Sequence, residues 1–222
     1  SRNILILVLG LTGLVLLEVF SPKPLDFTPN FEAGSKKPFG CYVLHGLLPQ
    51  LFPGSKVETV EKSFYEFFDE EGGGSEKEHS YYNYLIVTQR FDPGTTDLEY
   101  MIREARDGAL FFVAANTYGL NFSDTLGIQA EFSFNPTRLK RYDTVNLDFV
   151  NPHLESRDGY GSNRNLGVYY FSSVDTLNTT VLGTNHKNEI NFIKTQVGKG
   201  AFYLNTQPTM FTNYQVLEGN QD

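Results

Sequence analysis

The polar residues with the clearest chemical potential in this chain follow two apolar segments. Asn116 and Thr117 come directly after the apolar run Ala109–Ala115, and Asn205-Thr206-Gln207 end a second such run. Because α/β sheets usually bind ligands at the carboxyl ends of their strands, these polar groups are expected to line one cleft. The predicted ligand-binding residues are Asn116, Thr117, Asn205, Thr206 and Gln207. In the alternative interpretation, the same side chains cap the sheet by bonding its own backbone groups.

Residues suited to metal binding or nucleophilic catalysis are scattered along the chain. The histidines form no H-x-x-x-H or H-x-H pattern, and the aspartates lack the spacing of a calcium loop. These residues are His45, His79, His153, His186, Asp143, Asp148, Asp158 and Asp175. Cys41 stands between Gly40 and Tyr42 in a predicted helix, which favours a packed small side chain over a nucleophile. We therefore predict no metal site and no cofactor.

The elements expected to position the sheet-end residues form one β–α–β unit. Tyr84–Thr88 and Ala109–Ala115 are continuous apolar runs, as in strands that are buried on both faces of a parallel sheet. Between them, Thr96 and Glu99 have the spacing of a capping box that opens a helix, and Gly108 ends that helix. Parallel strands joined by helices build α/β folds. We therefore predict a three-layer α/β sandwich with a mainly parallel central sheet, in which these two strands are central and adjacent or nearly adjacent.

The rest of the domain follows less regular patterns. Residues 131–165 alternate polar and apolar residues among many turn formers, which predicts a loop-rich insertion made of short strands and loops. Asn191–Val197 and Ala201–Thr206 have the composition of strands, and the glycine-rich link Gly198–Gly200 between them predicts a β-hairpin. A final helix is expected at Asn213–Leu217.

The start of the chain, Ile4–Phe20, is an almost unbroken apolar run with a single charge, Glu18. As a helix it spans roughly 25 Å at about 1.5 Å per residue, slightly less than the hydrocarbon thickness of a bilayer. We predict a transmembrane anchor over residues 1–20, a proline-punctuated extended stem over 21–36 and one globular domain over 37–222. The competing interpretations are a signal peptide, whose small-residue cleavage site is missing here, and a core helix, which would be amphipathic.

The composition excludes several classes of partner. A net charge of -8 argues against nucleic acid and against an anionic membrane surface. A single cysteine cannot form an intramolecular disulfide or a cysteine-based zinc site. About 200 residues follow the apolar run, which is enough for one domain with its own core.

Several segments together carry a resemblance to a known family. In chain order they are Lys37–Leu44 (KPFGCYVL), Leu51–Gly54 (LFPG), Gly198–Pro208 (GKGAFYLNTQP) and Phe211–Tyr214 (FTNY). With its apolar anchor and proline-rich stem, the chain resembles the bacterial membrane proteins grouped as "domain of unknown function 4350". The resemblance covers most of the chain, and its closing segment is the most specific part. It implies a domain similar to the class I glutamine amidotransferase-like fold, usually followed by a second membrane segment, and no established reaction.

The resemblance also implies a location and a kind of partner. Similar domains occur in envelope proteins encoded beside AAA-type ATPases and transporter-like components. The implied location is the bacterial inner membrane, with the N-terminal helix in the bilayer and the soluble domain in the periplasm. The implied protein partners are transporter or AAA-ATPase-associated components of the envelope, and no nucleic acid.

Catalysis of the amidotransferase type would need a nucleophile that this chain lacks. Active members of that class place a cysteine on a sharp turn after a central strand, where a nearby histidine activates it. The matching turn, Asn116–Gly119, contains no Cys or Ser, and nothing adjacent would activate Thr117. We therefore predict no catalytic residues and a membrane-anchored, non-catalytic cell-envelope domain that binds a protein partner or a small ligand. The alternative is an envelope hydrolase or transferase, which a histidine and an acidic residue meeting in one pocket would favour.

Overall fold

A computed structural model describes residues 2–21, 25–70, 82–133, 143–154, 159–165 and 167–218. The helices are α1 (Arg2–Phe20), α2 (Tyr42–Leu51), α3 (Phe64–Glu70), α4 (Thr95–Asp107), α5 (Leu120–Leu126) and α6 (Asn213–Glu218). The strands are β1 (Asn83–Phe91), β2 (Leu110–Tyr118), β3 (Ile128–Phe132), β4 (Asp143–Phe149), β5 (Tyr160–Asn165), β6 (Tyr169–Val174), β7 (Thr179–Asn185), β8 (Ile190–Val197) and β9 (Gly200–Asn205). A 3₁₀ helix, Pro208–Phe211, connects β9 to α6. His79, Asp158 and parts of the predicted stem and insertion lie outside the described residues.

All the described strands belong to one mixed sheet. Its main path runs β1-β2-β9-β8-β7-β4-β5, and β6 pairs with both β8 and β3 beside that path. The pairings β1–β2 and β2–β9 are parallel. Every other pairing between described strands is antiparallel. The sheet curls into a half-barrel.

The predicted three-layer sandwich with a mainly parallel sheet is therefore wrong. The strands predicted at Tyr84–Thr88 and Ala109–Ala115 are β1 and β2, and they do pair in parallel. However, β1 ends the sheet path instead of lying in its centre, and Leu85 on this strand is 40% exposed. The apolar run of β1 reflects packing on one face, which a sequence pattern cannot distinguish from burial on both.

The core lies between the parallel part of the sheet and α4. Met101 and Ala105 of α4 are fully buried in a cluster with aromatic residues of the strands. The rings of Tyr84, Phe111 and Phe202 stack across β1, β2 and β9, with centroid separations of 4.5 Å and 4.8 Å. Side chains at matching positions of neighbouring strands point to the same face, so the parallel register aligns these rings.

The ends of α4 follow the predicted residues only in part. The helix begins after Gly94, which serves as its cap without a side-chain hydrogen bond, so Thr96 and Glu99 do not form the predicted capping box. It ends at Gly108, whose φ of 130° is readily adopted only by glycine. The β8–β9 hairpin is present as predicted. At its turn a Cβ on Gly198 would lie 2.6 Å from Arg106 Cα, because the turn packs directly on the end of α4.

The segment predicted as a loop-rich insertion, residues 131–165, contains β4 and β5. Strand β4 pairs with β7 from Leu147 opposite Asn185 to Phe149 opposite Gly183. This part of the chain therefore extends the sheet.

Helix α1 is apolar around its whole circumference, and none of its apolar window is buried by the described residues. By length and composition it is able to cross a membrane, and it is compatible with a membrane anchor or a signal peptide.

The chain that follows α1 is bonded to the C-terminal helix. The Phe27 ring packs edge-on against the Tyr214 ring at 5.6 Å. Asn213 Nδ2 donates to the carbonyls of Ser35 at 2.8 Å and Lys37 at 2.7 Å. Residues 27–37 and α6, whose helical character was predicted, thus form one joined structure.

Candidate functional site

Strands β2 and β9 separate at their carboxyl ends, and polar side chains occupy the gap. Their last registered pair is Ala114 with Asn205. Beyond it, Asn116 Nδ2 donates to the Thr206 carbonyl at 3.1 Å. The Tyr118 hydroxyl lies 2.9 Å from the Asn205 carbonyl, to which it donates. These two side chains therefore replace the backbone bonds that the separating strands no longer make.

The chain after β9 is held by a second set of bonds. The Asn205 side-chain oxygen accepts from the Gln207 backbone N–H at 2.7 Å. One carbonyl of β6, that of Tyr169, accepts from Thr206 Oγ1 at 2.7 Å and from Gln207 Nε2 at 3.0 Å. We call Asn116, Tyr118, Asn205, Thr206 and Gln207 the sheet-end cluster. The cluster ties β2, β9 and β6 together where they part.

The structure brings together most of the residues predicted to bind a ligand. Asn116, Asn205, Thr206 and Gln207 all belong to the sheet-end cluster and are buried. Thr117 does not join them, because it lies on the other face of β2 in register with Arg90 of β1. The bonds just described are those expected for side chains that cap a sheet.

Some polar atoms at this end of the sheet lack partners among the described residues. They are Asn116 Oδ1, Gln207 Oε1 and the amide nitrogen Nδ2 of the neighbouring Asn191. Each side chain is almost completely buried, and buried polar atoms without a hydrogen bond are uncommon in folded proteins. Of these three residues, Asn191 also lines a cavity.

Two adjoining cavities lie along β4, and we call them together the β4 cleft. The aromatic cavity has a volume of about 220 Å³. Its walls include Phe149, Tyr160, Phe192, Met210 and Phe211, with Asn191 and Asn205 as amide groups. The polar cavity has a volume of about 350 Å³ and is lined by Asn146, Thr184, Asn185, His186 and Asn188, among others. Both cavities share Leu147, Asp148 and Phe149.

The turn beside the polar cavity is fixed by one buried side chain. Asn185 Oδ1 accepts from the backbone N–H groups of Lys187 at 2.9 Å and Glu189 at 3.1 Å. Its Nδ2 donates to the Glu189 carboxylate at 2.7 Å. The turn presents His186 to the same cavity that Asp148 lines. Sequence spacing did not bring these two residues together, because Asp148 lies on β4 and His186 follows β7, so only the β4–β7 register places them at one cavity.

The turn predicted to lack a nucleophile joins β2 to α5. Strand β2 runs through Asn116 to Tyr118, and Gly119 makes the turn into α5. A side chain at Gly119 would collide with the Asp92 carboxylate, so a larger residue at this position would require the Asp92 side chain to move.

Cys41 is buried at the start of α2, and burial raises the pKa of its thiol to about 11. A nucleophilic thiol needs the opposite shift. His45, one helical turn later, bonds through Nε2 to the Thr59 hydroxyl at 3.0 Å. Within the described residues, no group of three or more His, Cys, Asp or Glu side chains is arranged to hold a metal ion.

No protein-family model matches the chain. No curated protein matches it either.

Solved structures resemble the chain at low sequence identity. The N-terminal domain of mmIFT52 has a TM-score of 0.55 and 10% identity, and the match covers 78% of this chain and 83% of that domain. A β-galactosidase from Bacillus circulans sp. alkalophilus has a TM-score of 0.40 and 13% identity over 63% of this chain. An exo-β-1,4-mannosidase from Opitutaceae bacterium strain TAV5 has a TM-score of 0.39 and 10% identity over 60% of this chain.

These matches differ in how much they cover. The chain spans only 22% of the galactosidase and 23% of the mannosidase. The likeness to the mmIFT52 domain extends over most of both chains and shows a shared fold.

Proposed function

We propose that this chain is a membrane-anchored, non-catalytic domain of the bacterial cell envelope that binds a small ligand in the β4 cleft. The observation that carries the proposal is the aromatic cavity, whose lining combines aromatic residues with Asn191 and Asn205. Ligand sites are typically concave and apolar, with a few polar groups that fix orientation.

The size of the aromatic cavity limits what it can hold. Its volume of about 220 Å³ exceeds the roughly 150 Å³ of an engineered cavity that takes up benzene. It is smaller than the roughly 300–1,000 Å³ of sites for drug-sized molecules. The cavity therefore suits a single ring with one small substituent.

The polar groups of the cleft limit the chemistry of that substituent. Asn191 lines the cavity, and its buried Nδ2 has no hydrogen-bond acceptor among the described residues. A rotation of this side chain would turn Nδ2 towards the cavity, where a ligand carbonyl would satisfy it. Asp148 is the acidic residue of both cavities and disfavours a ligand carboxylate by charge repulsion. A neutral ring with an amide or ketone group fits both conditions.

Benzamide and benzoate make a matched pair of probes for this proposal. The full chain in lipid nanodiscs is mixed with each probe, and saturation-transfer NMR measures binding. We expect a signal from benzamide, none from benzoate, and loss of the benzamide signal in Asn191→Leu. Asn121→Leu, an exposed asparagine on α5, is the control and keeps the signal. Equal signals from both probes, or full binding by Asn191→Leu, would contradict the ligand site.

The location is part of the same proposal. We place α1 in the bacterial inner membrane and the folded domain in the periplasm, where transporter or AAA-ATPase-associated proteins are the proposed partners. Support comes from the length, apolar surface and full exposure of α1. After carbonate extraction of bacterial membranes, the chain is expected in the membrane pellet. Its intact mass should still include α1, because loss of this helix would identify a signal peptide instead.

A second candidate function, an envelope hydrolase or transferase, is favoured by one observation. His186 and Asp148 line the same polar cavity, and a histidine and a carboxylate are side chains that general acid–base chemistry uses. Hydrolysis of p-nitrophenyl acetate by the purified chain tests it. For a non-catalytic domain the rate equals that of His186→Ala. A rate that falls at least tenfold in both His186→Ala and Asp148→Asn would replace our first proposal with this one.

A further inference from the structure

One wall of the polar cavity is formed by a single face of the β4–β7 pair. Asn146 and Asp148 are two residues apart on β4, so their side chains lie on the same face of the sheet. Thr184 of β7 is directly opposite Asp148 in the antiparallel register, which makes these two side chains cross-strand neighbours. All three residues line the cavity. The sheet therefore places an amide, a carboxylate and a hydroxyl side by side.

The turn that follows β7 supplies two further polar side chains. His186 and Asn188 line the same cavity, and both are exposed to solvent. The His186 backbone N–H donates to the Asn146 carbonyl at 2.9 Å, which joins the turn to β4. Asn188 has a φ of 61°, in the left-handed region that asparagine adopts more readily than most residues. Because the Asn185 side chain also bonds this turn at three points, the site is ordered before any ligand enters.

These side chains mix hydrogen-bond donors with acceptors. The amides of Asn146 and Asn188 and the Thr184 hydroxyl both donate and accept, whereas the Asp148 carboxylate only accepts when ionised. A ligand hydroxyl also donates and accepts, so a ligand with several hydroxyls is able to match every group of this lining. An ammonium ligand would only donate, which would leave the amide donors of the cavity without acceptors.

The charge of the cavity excludes acidic ligands. Asp148 is the acidic residue in its lining, and it repels a ligand carboxylate or phosphate. Lys187, the cation of the turn, is not part of the lining and bonds through Nζ to Ser133 Oγ at 3.1 Å. The ligand that fits is therefore neutral as well as rich in hydroxyls.

We propose that the polar cavity binds a neutral monosaccharide in its pyranose form. Its volume of about 350 Å³ lies at the lower end of the roughly 300–1,000 Å³ of small-molecule sites, which suits one sugar ring. A pyranose carries C–H groups beside its hydroxyls, and Leu147 and Phe149 are the apolar members of the lining. This sugar is a second ligand of the β4 cleft, and its binding does not depend on the ring proposed for the aromatic cavity.

Saturation-transfer NMR on the full chain in lipid nanodiscs tests the sugar site. The neutral probes are glucose, galactose, mannose and N-acetylglucosamine, and the 6-phosphate of the sugar that binds best is the matched anion. Benzamide reports on the aromatic cavity in the same samples. The variants are Asn146→Ala and Asn188→Gly, since glycine also adopts the left-handed backbone of residue 188. Asn121→Ala, on the exposed surface of α5, is the control, and circular dichroism checks that every variant is folded.

We expect at least one neutral sugar to give a signal at millimolar concentration. Its dissociation constant should rise about fivefold in Asn146→Ala and in Asn188→Gly, as for the loss of one hydrogen bond, and stay unchanged in Asn121→Ala. Benzamide binding should be the same in all three variants. The 6-phosphate should bind about tenfold more weakly than its parent sugar. Asp148→Asn, which keeps the Oδ1 acceptor of the Phe149 N–H, should reduce that difference.

Three results would refute the sugar site, whether or not benzamide binds. They are no signal from any of the four neutral sugars, unchanged sugar affinity in both Asn146→Ala and Asn188→Gly, and equal affinity for the sugar and its 6-phosphate. If the sugar binds as expected and benzamide does not, the ring proposal for the aromatic cavity fails and the sugar site stands.

Discussion

The sheet-end cluster and the β4 cleft contain similar amide side chains but use them differently. In the cluster, the donors of Asn116, Thr206 and Gln207 end on backbone carbonyls of neighbouring strands. In the cleft, Asn191 belongs to the lining of a cavity walled by aromatic rings, and its Nδ2 bonds no described residue. The cluster therefore uses its amide donors to hold the strands, whereas the cleft contains an amide donor that no described residue uses.

The comparison shows why the end of a strand is not by itself a binding site. Where β9 ends, the Asn116 and Tyr118 side chains of β2 donate to the Thr206 and Asn205 carbonyls. Near Gly183 the register between β7 and β8 shifts, and Gly183 lines the aromatic cavity. A polar side chain is available to a ligand only where such a cavity exists.

The largest effect is expected from Tyr118→Phe, which removes a buried hydroxyl of the sheet-end cluster. The Asn205 carbonyl loses its donor, so the free energy of unfolding should fall by about 1–3 kcal/mol. Urea denaturation measures this change, and benzamide binding to the folded variant should be unaltered. Weakened benzamide binding would show that the two regions act as one site.

The pH dependence of stability tests whether the Tyr118 hydroxyl is buried in the folded protein. Burial raises the pKa of the Tyr118 hydroxyl above its usual value near 10. Above that pH the unfolded chain ionises while the folded chain does not, so the stability due to this group is lost as pH rises. The stability of the unmodified protein should therefore fall more steeply above pH 10 than that of Tyr118→Phe. Parallel curves would contradict burial of the hydroxyl.

Asn191→Leu is expected to have a smaller effect, and to lower the affinity for benzamide more than the stability of the fold. Benzamide affinity should fall about tenfold, equivalent to about 1.4 kcal/mol, because one hydrogen bond to the ligand is lost. The free energy of unfolding should change by less than that of Tyr118→Phe, since Asn191 Nδ2 bonds no described residue. Calorimetric titration and urea denaturation of the same samples compare the two quantities.

The smallest effect is expected from Cys41→Ala, which lies outside both regions. Membrane retention and benzamide affinity should stay unchanged, because the buried thiol touches neither site. The thiol pKa of about 11 lies above its ordinary value of 9.0, so the protein should lose stability relative to Cys41→Ala between these pH values. Iodoacetamide should modify native Cys41 far more slowly than the urea-unfolded chain. If a folded Cys41→Ala variant lost the function of the protein in cells, the hydrolase or transferase alternative would be favoured over a non-catalytic domain.

The parts of the fold that sequence patterns predicted are local in the chain. Strand β1, α4 and β2 follow one another, and the hairpin of β8 and β9 turns within a few residues. Their apolar runs and glycines therefore specify the structure without distant partners. The antiparallel majority of the sheet depends on pairings such as β4 with β7, across more than 30 residues. Alternating side chains in residues 131–165 indicated short strands but not their partners.

For the candidate sites too, sequence patterns predicted one part, the sheet-end cluster, and missed the other, the β4 cleft. Asn116 and Asn205 were brought together by the rule that parallel strands end at one edge, and the register of β2 with β9 obeys it. The β4 cleft was missed because Asp148 and His186 have no recognisable spacing. Their meeting depends on the β4–β7 pairing and on the turn fixed by Asn185. Only this long-range geometry assembles the cleft.

The hydrogen bonds of Asn213 join residues near the start of the folded domain to helix α6 near its end. Val43 and Asn213 are 170 positions apart, so one side chain fastens the first folded segment to the last. Loss of the Asn213 hydrogen bonds would release the stem, α2 and α6 together, because Asn213 of α6 holds both the stem and α2. Tension applied through α1 would accordingly reach α6 and the adjacent end of the sheet before it could unravel the domain residue by residue. The segment that follows α1 and the helix α6 thus act as a single mechanical element.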